Sequence, residues 1–328
     1  MLSIYNNLNN IFKKQNYIKI LVHFRIFLCV FVLAAIILFY SIISDRFFTW
    51  FNISTILEQG SVLMIAALGE TLIILAGSID LSPGSLIGLG AVLSAGFSYN
   101  LGIWSFGIAA LAGIGCGAFT GIIYAKGKIP SFVATLGMLT VARGIIYLYT
   151  NGQPIPTECE AMTNLGIGRN LGLPNVVILS IVIFIIIYYL TNYTAFGRWV
   201  RGIGGAERVM RLSAVPIDLV KFFLFVISGL LAAIAGAVQA CRVGSGVPTT
   251  GFGQELDVIA AVVIGGTALT GGVGNLAGTI VGAYIMTSLA NGLNLLGIGS
   301  YQQMVIKGIV LAVAVLLSVD RKRIGIIK

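Results

Sequence analysis

"IFLCVFVLAAIILFYSII", Ile26–Ile43, contains no charged side chain. Such a run crosses hydrocarbon as an α-helix, which needs about 20 apolar residues, whereas a membrane β-strand would alternate polar and apolar over roughly 10. Similar runs recur along the chain, in which 58% of residues are hydrophobic and only 9% charged. The fold class is therefore all-α, a polytopic membrane helix bundle. Hydropathy predicts about ten transmembrane helices, near residues 24–44, 53–76, 84–99, 102–125, 130–150, 174–192, 218–241, 255–270, 276–296 and 302–319. Gly, with 42 residues against seven Pro, suits helices whose backbones approach closely. The first run has the basic flank of a signal peptide, but it is too long and no small-residue cleavage site follows, so it is expected to stay as the first helix. This divides the chain into a cytoplasmic segment 1–23, one transmembrane domain 24–319 and a basic tail 320–328.

The net charge of +9 has a topological explanation. With the N-terminus inside, the cytoplasmic segments hold Lys13, Lys14, Lys19, Lys126, Lys128, Arg198, Arg201, Arg208, Arg211, Arg321, Lys322, Arg323 and Lys328, while the outer loops hold Arg46, Arg169 and Arg242. This asymmetry puts both termini in the cytoplasm and explains the charge without nucleic acid or any other polyanionic partner.

Enzyme and metal chemistry find no support. Cys29, Cys116, Cys159 and Cys241 are scattered without any CxxC, and His23 is the only histidine, so no metal site is expected. "GIIYAKGKI", Gly121–Ile129, has five residues between its glycines and Ile129 where a phosphate loop needs Ser or Thr. "GGVGNLAG", Gly271–Gly278, joins two predicted spans and lacks the strand-helix-strand setting of a dinucleotide site. HExxH and GxSxG are absent, so no catalytic residue is assigned.

Helix packing and helix breaks carry the remaining signal. Gly113, Gly117 and Gly121 stack on one helix face, and Gly278 and Gly282 repeat the spacing. In "TLIILAGSIDLSPGS", Thr71–Ser85, Gly77, Pro83 and Gly84 break the helix, while Ser78, Asp80 and Ser82 are expected to cap the next one, as a cytoplasmic-side hinge. "GGTALTGGVGN", Gly265–Asn275, is its loose counterpart in the second half. Glu70 and Arg143 are intramembrane charges that serve either structural pairing or a pathway, whereas Glu58 and Lys307 sit where snorkelling suffices. "NYTAFGRWVRGIGGAERVMRLSAVPID", Asn192–Asp218, predicts a turn at Gly204–Gly205, a short basic helix from Ala206 to Leu212 and a stop at Pro216. It lies on anionic lipid or inserts into a cytoplasmic motor.

Six stretches resemble, in the same order, the permease subunit of ribose-type ABC sugar importers: "TLIILAGSIDLSPGS", "IPSFVATLGMLTVARGI", "TAFGRWVRGIGG", "SGLLAAIAGAVQACRVGSG", "GQELDVIAAVVIGGTALTGGVGNLAGTIVGA" and "NGLNLLGIGSYQQMVIKGIV". The resemblance implies a multi-pass protein of the bacterial inner membrane. It also implies a second permease copy or homologue, a cytoplasmic ATP-binding cassette ATPase that holds the ATP and magnesium, and a periplasmic or lipid-anchored sugar-binding protein. No cofactor is implied in this chain. The coupling loop, 193–217, would dock on the ATPase through Gly197, Arg198, Arg201, Gly204, Gly205, Glu207, Arg208 and Arg211. It departs from many relatives at Ala206 and Ala214, where they carry Asn and Gly, and Ser78 and Pro83 replace residues that are often Gly and Val. Gln239, Asn291 and Asn294 are pathway candidates, with Phe252, Glu255 and Asp257 near the outer mouth, although each could equally cap a helix. The outer loop Thr150–Leu173 is long enough to touch a binding protein.

The expected function is thus the pore-forming subunit of an ATP-driven importer of a monosaccharide or related small polar solute. The alternatives are an ion-coupled secondary transporter using Glu70 or Arg143, and a membrane scaffold that only anchors the ATPase.

Overall fold

The computed structural model describes residues 26–318. Segment 1–23 with His23, the tail 320–328 and their basic residues lie outside the described residues. The chain is a helix bundle: α1 Ile26–Ile43, α2 Trp50–Leu75, α3 Pro83–Gly96, α4 Ser98–Leu101, α5 Ser105–Gly127, α6 Ser131–Thr150, α7 Glu160–Ile167, α8 Asn175–Tyr193, α9 Ala195–Leu212, α10 Ile217–Val243, α11 Gln254–Ile264, α12 Leu276–Leu295 and α13 Ser300–Ser318. Among the described residues, seven helices are long and apolar enough to cross a membrane: α1, α2, the continuous Ser98–Gly127 stretch, α6, α8, α10 and α12.

Two expected spans are shorter than predicted. α3 has 14 residues and α11 has 11, about 21 and 16 Å at the helical rise, well under a bilayer core of roughly 30 Å. Each follows an extended leg that re-enters the bundle. After Gly77 the chain doubles back along α2, with the Asp80 amide donating to Glu70 Oε1 at 3.3 Å. Pro83, whose missing amide suits a first helical position, then starts α3. The second leg runs from Ser245 to Gly253, with Gly246 against Ala91 and Gly251 against the Gly84 carbonyl. α11 and α3 therefore start beside one another inside the protein. Such non-helical backbone is tolerated at this depth because it is enclosed by protein. At its far end α11 stops at Ile264, not near residue 270, because Gly265 and Gly266 end the helix, Gly266 at φ +90°.

Burial sorts the helices. Only 11% of α1 is buried against 72% of α2, so α1 faces lipid while α2 runs through the interior. α3 is buried on nearly every side. With no hydrophobic drive between helices in lipid, cohesion depends on close backbone packing, and the glycine rows supply it. Gly113, Gly117 and Gly121 of α5 sit on the backbone of α10 at Gly229, Phe225 and Phe222, while Gly278 and Gly282 sit on Gly265 and Ala261. Polar clasps add register. Asn52 and Asn291 exchange two amide hydrogen bonds of 2.9 Å, and Thr71 meets Thr279 at 2.8 Å, locking α2 antiparallel to α12. Two short antiparallel ladders, Ile155–Pro156 with Ser245–Gly246 and Arg169–Asn170 with Leu173–Pro174, order the loop around α7.

A paired substitution tests the packing account. Gly117→Ala drives a Cβ into the Phe225 carbonyl and should destabilise the protein by about 1–3 kcal/mol. Gly115→Ala, whose Cβ meets nothing within 4 Å, should be neutral or stabilising by up to about 1 kcal/mol. Thermal unfolding in detergent reads both.

Candidate functional site

α2 ends with four carbonyls that no helical amide would reach, and each finds a donor. The Ala76 amide serves Leu72, Gly77 bonds Ile74 at 2.9 Å, and Ser78 bonds Ile73 at 3.1 Å. With Gly77 at φ +76°, this is a Schellman end, which needs a left-handed residue after the cap. The fourth carbonyl, Leu75, accepts from the Gly272 amide at 2.8 Å, across from the second break. α11 ends in the same motif: Gly266 bonds Val263 at 2.9 Å and Thr267 bonds Val262 at 3.2 Å. The loose sequence likeness of the two breaks is thus a shared backbone motif.

α9 seats directly on this pair of breaks. A Cβ on Gly204 would strike the Leu75 carbonyl and the Gly272 amide. A Cβ on Gly271 would lie 2.8 Å from Gly77 Cα and 2.9 Å from Gly204 Cα. Five glycines, Gly77, Gly204, Gly205, Gly271 and Gly272, therefore bring three pieces of backbone together with no side chain between them. The turn expected at Gly204–Gly205 falls at Ala206, whose φ −163° and ψ 80° kink α9. Ala214 sits at φ +56°, a left-handed conformation that suits the Gly of its relatives better.

The predicted coupling residues divide by role. Gly197 packs on Thr191, and Arg201 donates to the Thr191 carbonyl and to Asn192 Oδ1, both at 2.7 Å, so these two fasten α9 to α8. Glu207 accepts from Lys221 of α10 at 2.9 Å and from Arg211 at 3.1 Å. Burial opposes the Glu207 charge, but the hydrogen bonds and positive charges of Lys221 and Arg211 outweigh it and hold the carboxyl below its ordinary range. Arg198, Gly205, Arg208 and Arg211 remain exposed, alongside Val209 and Leu212.

The hinge polar residues do not cap α3 in the expected way. Ser82 Oγ and the Ser82 amide both donate to Asp80 Oδ1, at 2.6 and 2.8 Å, so Ser82 is bound by Asp80 and caps nothing. Ser78 Oγ pairs instead with the Tyr124 hydroxyl of α5 at 2.7 Å. Asp80 Oδ2 accepts from Ser228 of α10 at 3.0 Å, making Asp80 a lock between leg and helix. Glu70 is fully buried against this leg, away from solvent. Arg143 donates to the Thr250 carbonyl at 2.8 Å and lies 5.7 Å from the Phe252 ring, pinning the second leg. The Glu255 carboxylate lies against Gly84 in the first turn of α3, where the helix dipole favours negative charge. Asn291 is taken up by Asn52.

Gln239, Asp257 and Asn294 do come together, on the wall of a cavity of about 230 Å³. The same wall carries Arg242 and Lys307, which the sequence showed only as charges, and Gln59, Gln254, Thr287 and Gln303, which sequence reasoning missed. Lys307 does not snorkel, since it pairs with Asp257 at 2.6 Å. The i, i+4 spacing of Gln303 and Lys307 on an otherwise apolar helix was a signal that could have found them. Among the described residues no group of His, Cys, Asp and Glu is placed to hold a metal ion.

The family described as "Branched-chain amino acid transport system / permease component" matches residues 52–315. The chain is 44% identical over 298 residues to the ribose import permease protein RbsC of Escherichia coli strain K12, covering 89% of this chain and 91% of that one. It is 40% identical to the Bacillus subtilis strain 168 protein of the same name, over 90% of this chain and 92% of the other. The xylose transport system permease protein XylH of Escherichia coli strain K12 is 30% identical over 91% of this chain and 93% of its own. No solved structure matches.

Ala214→Gly should raise stability by about 1 kcal/mol by relieving the left-handed alanine, read by thermal unfolding. The Glu207 ion pairs should persist at neutral pH and fail in acid. Because the folded carboxyl is held below its unfolded value, its stabilisation is complete above the ordinary carboxylate range and is lost as pH falls through the lowered value. Amide exchange along α9 should accelerate only there.

Proposed function

The chain belongs to the family of branched-chain amino acid transport system permease components, and from that membership we propose that it is the pore-forming subunit of an ATP-binding cassette importer for a monosaccharide. The family description is broad, whereas the relatives matching along nearly their whole length include proteins named for ribose and for xylose. The protein is a multi-pass membrane protein. In this reading it lies in a bacterial inner membrane, both termini face the cytoplasm, α13 joins the seven long helices as a crossing element, and α3 and α11 are half-helices that enter with their extended legs. A second permease copy, a cytoplasmic ATPase holding ATP and magnesium, and a sugar-binding protein complete the importer.

The seating of Gly204 on Leu75 and Gly272 carries the proposal. The exposed Arg198, Arg208, Arg211, Val209 and Leu212 give α9 a basic and apolar outer face on which an ATPase can dock. Its inner face meets the ends of α2 and α11 through backbone alone. Displacement of α9 by the ATPase therefore passes to both broken helices at once, with no side-chain rotamer to absorb it. The secondary-carrier alternative is less well supported, because Glu70 is sealed by its own leg and Arg143 is bound to carbonyls.

Reconstitution with ATPase and binding-protein partners tests this. D-ribose or D-xylose should stimulate ATP hydrolysis and uptake together. Gly205→Trp, at an exposed position where a Cβ meets nothing within 4 Å, should leave the unfolding temperature unchanged and cut stimulation by about tenfold or more. Uptake driven by a proton gradient without any ATPase would overturn the proposal.

A further inference from the structure

The cavity on which Gln239, Asp257 and Asn294 meet is bounded by α2, the end of α10, the start of α11, α12 and α13 of one chain. Its volume of about 230 Å³ would hold seven or eight waters at roughly 30 Å³ each. Counting each CHOH unit as about one water in volume, a pentose takes roughly 150 Å³ and a hexose about 180 Å³, so either fits.

The lining selects further. Gln59, Gln239, Asn294 and Gln303 each carry an amide that both donates and accepts, as a sugar hydroxyl does. Gln303 is held by donating to Asn294 Oδ1 at 2.6 Å and to the Ile298 carbonyl at 2.8 Å. Gln59 has no side-chain partner among the described residues, so its amide is available. Lys307 and Asp257 neutralise each other at 2.6 Å, while Arg242, whose Nε donates to Gln239 Oε1 at 3.3 Å, adds a further donor to the lining. An apolar amino-acid side chain offers these amides no hydrogen-bond partner, whereas nearly every carbon of a monosaccharide carries one.

The cavity also lies on the helices that reach the coupling junction. From Gln59 to Leu75 along α2 is 16 residues, about 24 Å of helix. α11 begins at the cavity with Gln254 and Asp257 and ends at Gly265, and α12 runs from the second break to Asn294. Movement at the breaks therefore tilts three of the cavity walls.

We propose that this cavity is a monosaccharide-binding station inside each copy of the chain, in which the Gln59, Gln239, Asn294 and Gln303 amides take the sugar hydroxyls and the Lys307–Asp257 pair braces the wall. It rests on the importer reading and adds to it a site within one chain, separate from any pathway between copies. Transported sugar is held here between release from the binding protein and discharge on the α9 side.

The test is thiol protection in nanodiscs. Ala290→Cys places a thiol on the cavity wall, and its conversion by methanethiosulfonate ethylammonium to a mixed disulfide, with release of methanesulfinate, should slow relative to the parent chain about fivefold or more under saturating D-ribose or D-xylose. L-leucine should give no protection. Gln59→Leu and Gln239→Leu should each abolish protection and raise the KM of uptake by about tenfold at an unchanged unfolding temperature. Uptake with no protection by any sugar, or with a parental KM in both variants, overturns the station while the importer stands. Protection by L-leucine and not by sugars overturns the ligand class. Sugar protection in a chain that no ATPase can drive supports the station and removes the importer.

Discussion

A helix that stops inside a membrane protein must still satisfy its last carbonyls, and here one of them reaches across to another break. The Leu75 carbonyl receives the Gly272 amide at 2.8 Å, after Gly77 and Ser78 have served the others. That bond requires the two breaks to meet, and their meeting requires glycine wherever the strands touch. The groove so formed has room for only one further backbone, that of α9 at Gly204. The architecture around it follows: α2 and α12 are clasped antiparallel, and α3 and α11 start side by side on legs that turn inward.

Polar residues in this bundle fall into two sets with different duties. Most are consumed by partners. Asp80 ties leg to α10, Asn52 ties α2 to α12, Arg143 ties α6 to the second leg, and Arg201 ties α9 to α8. These fix geometry and leave little capacity for a solute. The amides of Gln59, Gln239, Asn294 and Gln303 form the second set, gathered on one cavity, where Gln239, Asn294 and Gln303 keep part of their hydrogen-bonding capacity beside the partners they have and Gln59 keeps all of it among the described residues. The distinction is physical: a polar group in a low-dielectric interior either has its partner built in or waits for one that arrives.

The helices were legible from hydropathy because apolar length is a direct demand of the bilayer, and the breaks from Gly77, Pro83 and the Gly265–Gly266 pair. The face of glycines on α5 was legible as packing, though its partner α10 was not. Roles that depend on distant residues escaped the sequence. Ser78 and Ser82 have the composition of caps, yet their partners are Tyr124 and Asp80. Lys307 read as a snorkelling lysine because Asp257 lies 50 residues away. The likeness of the two breaks was faint because a Schellman end is specified by one left-handed residue and backbone bonds, so almost any flanking sequence supports it. The re-entrant legs were missed for a related reason, since an apolar leg and the half-helix after it together imitate one span.

The Asn52–Asn291 clasp has a meaning during synthesis as well. Its two halves are separated by 239 positions, which a ribosome covers in roughly 10 to 50 s. For most of that interval α2 carries Asn52 without Asn291, Thr71 without Thr279 and Leu75 without the Gly272 amide. The helix that ends at the centre of the protein is thus among the least fit to be left alone in lipid. Its early life must be spent beside the insertion machinery, and the bundle closes around it only when the second half of the chain has emerged.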